Sequence, residues 1–429
     1  MTDNALTQVN EHYLDKVMDL AQLKEVEASE DIYAANGMKL IAKGARLSNE
    51  MQERLILHRL KKPLESSISV SDGVDMKEIL TQAQRLTDED SPLQSLLRGS
   101  TREGSPLGIV SRIPLNHTLK MLFSLVNYTA DNALQHYILA GLLASSLARK
   151  LNLGEDSQRT VATAGLFHDV GKLYIDPAYL RTKSKLKPSE WRHVVSHPVI
   201  GQKVLSEVGG LNKSVTQAVL EHHERYSGNG YPQHLAGSAI SIEGQVLAVA
   251  EILASMSMRQ ELTWQRAKLA LRIVPGEHAL QIMSVLSHTT VDGCEAQTEF
   301  ASLPADRLIQ ESDSLLKRLR ELVKHCADLC AAPTLQSAMA ASLLRQALAR
   351  LHLIQQALAS TGVDICAESQ QQLLAESVDS QDRLEIHGVI LEINWRIGEL
   401  ARDLVLLSEN LAAQELEALA PLISLLEES

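Results

Sequence analysis

The apolar positions of this chain change their spacing along its length. Between residues 24 and 70 the pattern is mixed. KEVEASEDIYA and MKLIAKG read as short extended segments flanking Asn36-Gly37, a dipeptide suited to two positive-φ positions of a tight hairpin turn. Asn49 followed by Gln52 resembles a capping pair opening the helix NEMQERLILHRL, and LESSISV returns as a strand. The expectation is a small α+β module over residues 1–70, with a regulatory or packing role. Residues 71–114 combine one helical segment, MKEILTQAQRL, with TDEDSP and GSTREGSPLG, a connector composition.

From about 115 to 290 the apolar residues recur at helical spacing, as in HYILAGLLASSLARKL, VATAGLF, WRHVVSHPVIGQKVL, VTQAVLEHH and GQVLAVAEILASM. One Gly/Pro-rich loop interrupts them at 227–238. From 300 to 429 long Leu/Ala/Gln/Glu-rich segments follow, separated by breaks at Pro333, Gly362 and 376–380. They read as an antiparallel helical bundle or a dimerising extension. The fold class expected is mainly α: a helical domain with a small N-terminal α+β module and a C-terminal helical extension.

Composition agrees. Apolar residues at 45% and charged residues at 22% place the chain among globular proteins rather than disordered ones. With aromatics at only 3%, the core must come from Leu, Ala, Ile and Val, a mixture that favours helices over sheets. Lys plus Arg number 41 against 53 Asp plus Glu, a net charge of −12. Without a long basic run to meet a phosphate backbone, no nucleic-acid partner is expected. The N-terminal stretch lacks the basic and apolar regions of a signal peptide. The most apolar segment, ILAGLLASSLA at 138–148, falls short of the roughly 18 residues a membrane span needs. A cytoplasmic protein with no membrane partner is the reading. The four cysteines, 294, 326, 330 and 366, form no disulfide framework. His325-Cys326 with Cys330 offers the best chance of thiol chemistry, yet its surroundings read as an ordinary buried helix.

The chemistry concentrates in the histidines. Of fifteen, five fall in one stretch with carboxylates: His136, His168-Asp169, His197 and the pair His222-His223, followed by Glu251. Imidazole with carboxylate suits zinc, iron, manganese or nickel, whereas an all-oxygen set suits magnesium or calcium. An Asp placed between two cations can bridge them with its two oxygens while the neighbouring His binds one.

These spacings, together with GLFHDVGKL (165–173), HPVIGQKVL (197–205) and HHERYSGNGYP (222–232), closely resemble the HD-GYP branch of the HD-domain metal-dependent phosphohydrolases. Gly230-Tyr231-Pro232 is the signature of that branch. The resemblance covers about residues 115–270 and implies an HD-GYP domain within 115–299. It implies two divalent transition metals, iron or manganese, held by His136, His168, Asp169, His197, His222, His223 and Glu251. It implies hydrolysis of a cyclic dinucleotide, most often cyclic di-GMP, by a hydroxide activated between the metals, with Asp169 and Lys172 in catalysis. Lys172, Lys185, Tyr231 and Arg259 become candidate substrate contacts. Arg181, Lys183, Lys185 and Lys187 form a local basic run able to attract phosphates. A homodimer or a signalling protein docked through the C-terminal helices or the GYP loop is the partner expected.

The departures also carry information. Asn132 stands where some members have a Glu that supports a third metal. Glu251 replaces an Asp, Ala254 lacks a second carboxylate, and Gln260 and Thr263 occupy positions where basic residues are usual. Arg259 is displaced by one position, about 100° around a helix. Ser227 replaces an Asp and Ser241 a Pro. The alternative is therefore a weakly active or inactive HD-GYP domain acting as a nucleotide-binding sensor or signalling scaffold.

Overall fold

A computed structural model describes residues 5–88, 93–97, 104–181, 186–258, 270–271, 273–287, 304–332, 335, 337–360, 380–409 and 411–427. It is mainly helical and divides into two compact units, residues 1–186, 193–262 and 278–291 in one and 187–192, 263–277 and 292–429 in the other.

The first unit begins with α1 (Glu11–Leu23), whose first turn is capped by Asn10 accepting from the Tyr13 amide at 2.9 Å. Strands β1 (Val26–Ala28) and β4 (Ile68–Val70) pair antiparallel, with Val26 opposite Val70. β2 (Ile32–Tyr33) and β3 (Lys39–Ile41) form the hairpin around Asn36-Gly37. Only Gly37 takes a positive φ there, at 88°. The Asn36 side chain instead accepts from the Met38 amide at 3.0 Å, so the turn is wider than a two-residue hairpin. α2 (Asn49–Leu57) also departs from expectation: its N-cap is Ser48, and Gln52 donates to Asp15 at 2.7 Å instead of closing a capping box.

Residues 71–114 carry α3 (Met76–Asp88), α4 (Gln94–Leu97) and α5 (Pro106–Val110), all packed against α7 (Ala133–Lys150). α6 (His117–Thr129) precedes α7 and is capped by Asn116. α7 is buried on almost every side because its small and aliphatic residues let α8 (Glu155–Phe167) and α13 (Ile242–Met258) approach closely. At the α7–α8 crossing, Gly165 meets the backbone of Gly141. α9 (Pro177–Arg181), α10 (Pro188–Val195), α11 (His197–Glu207) and α12 (Lys213–Glu221) lie between α8 and α13 in the chain, and α14 (Leu280–Ser287) follows. A 3-10 turn, Val170–Tyr174, links α8 to α9.

The second unit holds the long helices α15 (Ala305–Ala331), α16 (Ala338–Ser360), α17 (Ser380–Ser408) and α18 (Ala413–Glu427). Their Leu, Ile and Ala faces share one core that includes Leu322, Leu351, Ile397 and Leu419. Burial pushes the Cys326 thiol in α15 up to about 12, which leaves it a protonated packing residue. Pro333 and Gly362 lie outside the described residues. Among the described residues, no helix is long and apolar enough to cross a membrane.

Candidate metal centre

Helix ends build this site. The last four carbonyls of a helix have no partner within it, and three of them here are taken by histidine rings. The His168 Nδ1–H donates to the Gly165 carbonyl of α8 at 2.8 Å, His197 to Val194 of α10 at 2.7 Å, and His222 to Val219 of α12 at 2.5 Å. A carbonyl can only accept, so each Nδ1 carries the proton and each neutral ring directs a bare Nε2 inward. All three rings are buried.

The inward nitrogens converge on Asp169. Its Oδ1 lies 3.1 Å from His197 Nε2 and 3.7 Å from His222 Nε2; its Oδ2 lies 3.4 Å from His168 Nε2 and 3.9 Å from His136 Nε2. Two overlapping groups result, Asp169 with His197, His222 and His223, and Asp169 with His136 and His168. One carboxylate oxygen serves each group. The His197 and His222 Nε2 atoms are 3.2 Å apart with no proton between them, and Asp169 Oδ1 is buried without a hydrogen bond. Two facing lone pairs beside an orphaned carboxylate oxygen repel one another, and a cation among them removes the repulsion. The donor set thus fits a metal, and its nitrogen content fits a transition metal better than magnesium or calcium.

Electrostatics favour the ligand-ready forms. Burial, reinforced by neighbouring histidines, lowers His136 and His222 to about 4, and burial lowers His197 and His223 too. His168 moves the other way because Asp169 outweighs the effect of burial. Asp169 itself is held well below the usual carboxylate range: burial opposes ionisation, but Lys172 and His168 prevail.

Lys172 donates to Asp169 Oδ2 at 2.5 Å, so its ammonium touches the bridging carboxylate. Glu251, on α13, lies outside both ligand groups and accepts from Ser255 Oγ at 2.8 Å. Burial works against its ionised form, yet His136 and His168 lower its pKa. Tyr231 stacks on His223, ring centroids 4.6 Å apart, and its amide donates to the His223 carbonyl at 3.1 Å. Lys183, Lys185, Arg259, Gln260 and Thr263 lie outside the described residues.

Three residues that shape the centre were not singled out from the sequence. Glu224 accepts from the amides of Gln233 (2.6 Å) and Leu235 (2.9 Å) and so fixes the loop that carries Tyr231. Its place directly after the histidine pair was the available signal. Glu221 accepts from the amide and hydroxyl of Ser241, which ties α12 to the start of α13. Gly171 sits so close to the His197 carbonyl that any Cβ would collide with it. Gly230 has the same constraint against the backbone of 223–225.

A buried histidine–carboxylate centre strung along consecutive helices defines a helical domain whose donor set fits a metal. Residues 120–288 match the family model described as HD domain. Curated relatives include the cyclic di-GMP phosphodiesterase response regulator RpfG of Xanthomonas campestris, 37% identical over 26% of this chain and 29% of its own. The 3'3'-cGAMP-specific phosphodiesterase 1 of Vibrio cholerae is 29% identical over 32% of each chain. A cyclic di-GMP phosphodiesterase of Pseudomonas aeruginosa is 32% identical over 33% of this chain and 35% of its own. The chain thus spans about a third of the length of these relatives.

Proposed function

We propose that this chain is a phosphodiesterase that hydrolyses a cyclic dinucleotide, cyclic di-GMP first, with two divalent transition metals, iron or manganese. The observation that carries the reading is the Asp169 carboxylate, with one oxygen facing His197 and His222 and the other facing His136 and His168. His136, His168 and Asp169 would hold one ion, and Asp169, His197, His222 and His223 the other, with Glu251 in reach of the His136 side. When bound, the ions supply Lewis acidity toward a phosphoryl group.

The chain's own residues do the rest. The helix-end carbonyls lock the imidazoles of His168, His197 and His222 in the tautomer that leaves Nε2 free. Lys172 brings a positive charge to the edge of the centre, where it can meet a phosphoryl oxygen as charge grows there. Tyr231, stacked on His223, offers an aromatic face beside the site for a purine base. The relatives' names include both cyclic di-GMP and 3'3'-cGAMP, so the base pair recognised is decided by assay.

The test is hydrolysis of both dinucleotides by metal-loaded protein in manganese or iron buffer. Linear product from cyclic di-GMP at a higher kcat/KM than from 3'3'-cGAMP is expected. The opposite preference would reassign the substrate. No turnover of either by fully loaded protein would refute the enzyme and favour the sensor reading.

A further inference from the structure

The N-terminal α+β module reaches the metal centre through a single turn of chain. Lys16, on α1, is buried, and its ammonium donates to the carbonyls of Leu173 at 2.9 Å, Ile175 at 3.3 Å and His12 at 3.1 Å. Three backbone carbonyls thus share the ammonium's donors. Leu173 belongs to the 3-10 turn Val170–Tyr174, which begins right after Asp169 and contains Lys172. Two more contacts grip the same turn. Tyr13 stacks on Tyr174 with ring centroids 4.9 Å apart, and the Tyr174 hydroxyl donates to Glu65 at 2.7 Å.

The far side of the turn is equally constrained. Gly171 lies against the His197 carbonyl at the start of α11, with no room for a Cβ. The Lys172 amide closes the turn on the Asp169 carbonyl at 2.9 Å. The turn is therefore held between a metal-ligand helix on one side and α1 on the other. A displacement of Leu173 and Ile175 has little slack to absorb it before it reaches Asp169 and the His197 carbonyl. An apolar residue of the same volume would take that donor away from the carbonyls of Leu173 and Ile175 and so release the turn from α1.

From this geometry we infer that Lys16 is a positioning residue of the metal centre: the N-terminal module sets the placement of Asp169 and Lys172 by holding the turn that follows Asp169 and carries Lys172. The inference rests on the metal-centre reading above and extends it to a part of the chain outside the HD domain. It makes the module a structural component of the site, so a ligand or partner that moved α1 would alter metal binding directly.

The experiment compares full-length wild type with Lys16→Met, Lys16→Arg and Tyr174→Phe, using manganese alone as the probe in a chelator competition. Hydrolysis kinetics and thermal unfolding are run alongside. Lys16→Met is expected to weaken manganese binding tenfold or more and to lower kcat with KM nearly unchanged. Lys16→Arg, a cation of similar reach, should restore most of both, and Tyr174→Phe should give a smaller loss in the same direction. Should Lys16→Met fail to fold, Lys16→Arg and Tyr174→Phe still decide: wild-type manganese affinity in Tyr174→Phe, or no recovery in a folded Lys16→Arg, overturns the inference. So does a folded Lys16→Met that melts earlier but binds manganese as the wild type does. Wild type that binds manganese but hydrolyses no cyclic dinucleotide refutes the function alone, because the affinity comparison still stands. Wild type that binds no manganese overturns both.

Discussion

Gly165→Ala joins the fold to the centre in one substitution. A Cβ at 165 would lie 2.6 Å from Gly141 Cα and 2.7 Å from Gly141 N. Carbon atoms in contact need about 3.5 Å or more, so α7 and α8 must part by about 1 Å. Both neighbours are backbone, and no side chain can rotate away to make room. Overpacking costs about 1–3 kcal/mol, and this backbone collision belongs at the top of that range. Ala gains back about 1 kcal/mol over Gly as a helix former. The net expectation is a loss of about 2 kcal/mol, which is roughly a 30-fold change in the opening equilibrium. Hydrogen exchange measured on α7 and α8 peptides reads this directly. Manganese affinity should fall as well, because His136 rides on α7 and His168 ends α8. Unchanged protection in both helices would refute the close crossing.

Glu65 is buried, with Oε1 accepting from Tyr174 and Oε2 without a partner, and burial raises its pKa above 4.5. A carboxyl with a raised folded pKa adds stability below its unfolded value and loses it as pH rises through the folded one. Glu65→Gln, which keeps an acceptor and cannot ionise, should therefore raise the melting stability at pH 7 by about 1 kcal/mol and change little at pH 4. Thermal melts at the two pH values check it, and lower stability at pH 7 would contradict the burial argument. Lys172→Ala removes a charge from Asp169 Oδ2 that is most useful as phosphoryl charge develops, so kcat should drop about tenfold or more while KM moves little. Steady-state kinetics separate the two, and a rise in KM alone would make Lys172 a simple substrate contact.

The helical character and the cluster of histidines with Asp169 were legible in the sequence because both leave local marks. Helical spacing in HYILAGLLASSLARKL and GQVLAVAEILASM is a run of neighbours, and His168-Asp169 or His222-His223 announces itself as a pair. What escaped depends on which partner a side chain or backbone finds in the fold, near or far along the chain. Asn36-Gly37 makes a hairpin, but the sequence does not say that the Asn36 side chain would bond Met38 and leave only Gly37 at positive φ. Asn49 and Gln52 have capping spacing, yet Gln52 found Asp15 on another helix. Lys16 looks like any surface lysine in DKVMDL until Leu173 and Ile175 are brought to it from more than 150 residues away. The glycines at 165 and 171 are of the same kind. Each has no local reason to be glycine, and each is required by a backbone that arrives from elsewhere.

The central claim is that Asp169 joins two metal subsites. Its most direct test is elemental analysis of protein purified without chelator, wild type beside Asp169→Ala, with circular dichroism to establish that both are folded. The wild type should carry about two transition-metal ions per chain, because two ligand groups share one carboxylate. The folded variant should lose most of both. Undiminished metal in Asp169→Ala, or a wild type that takes up no transition metal when it is offered, would contradict the account.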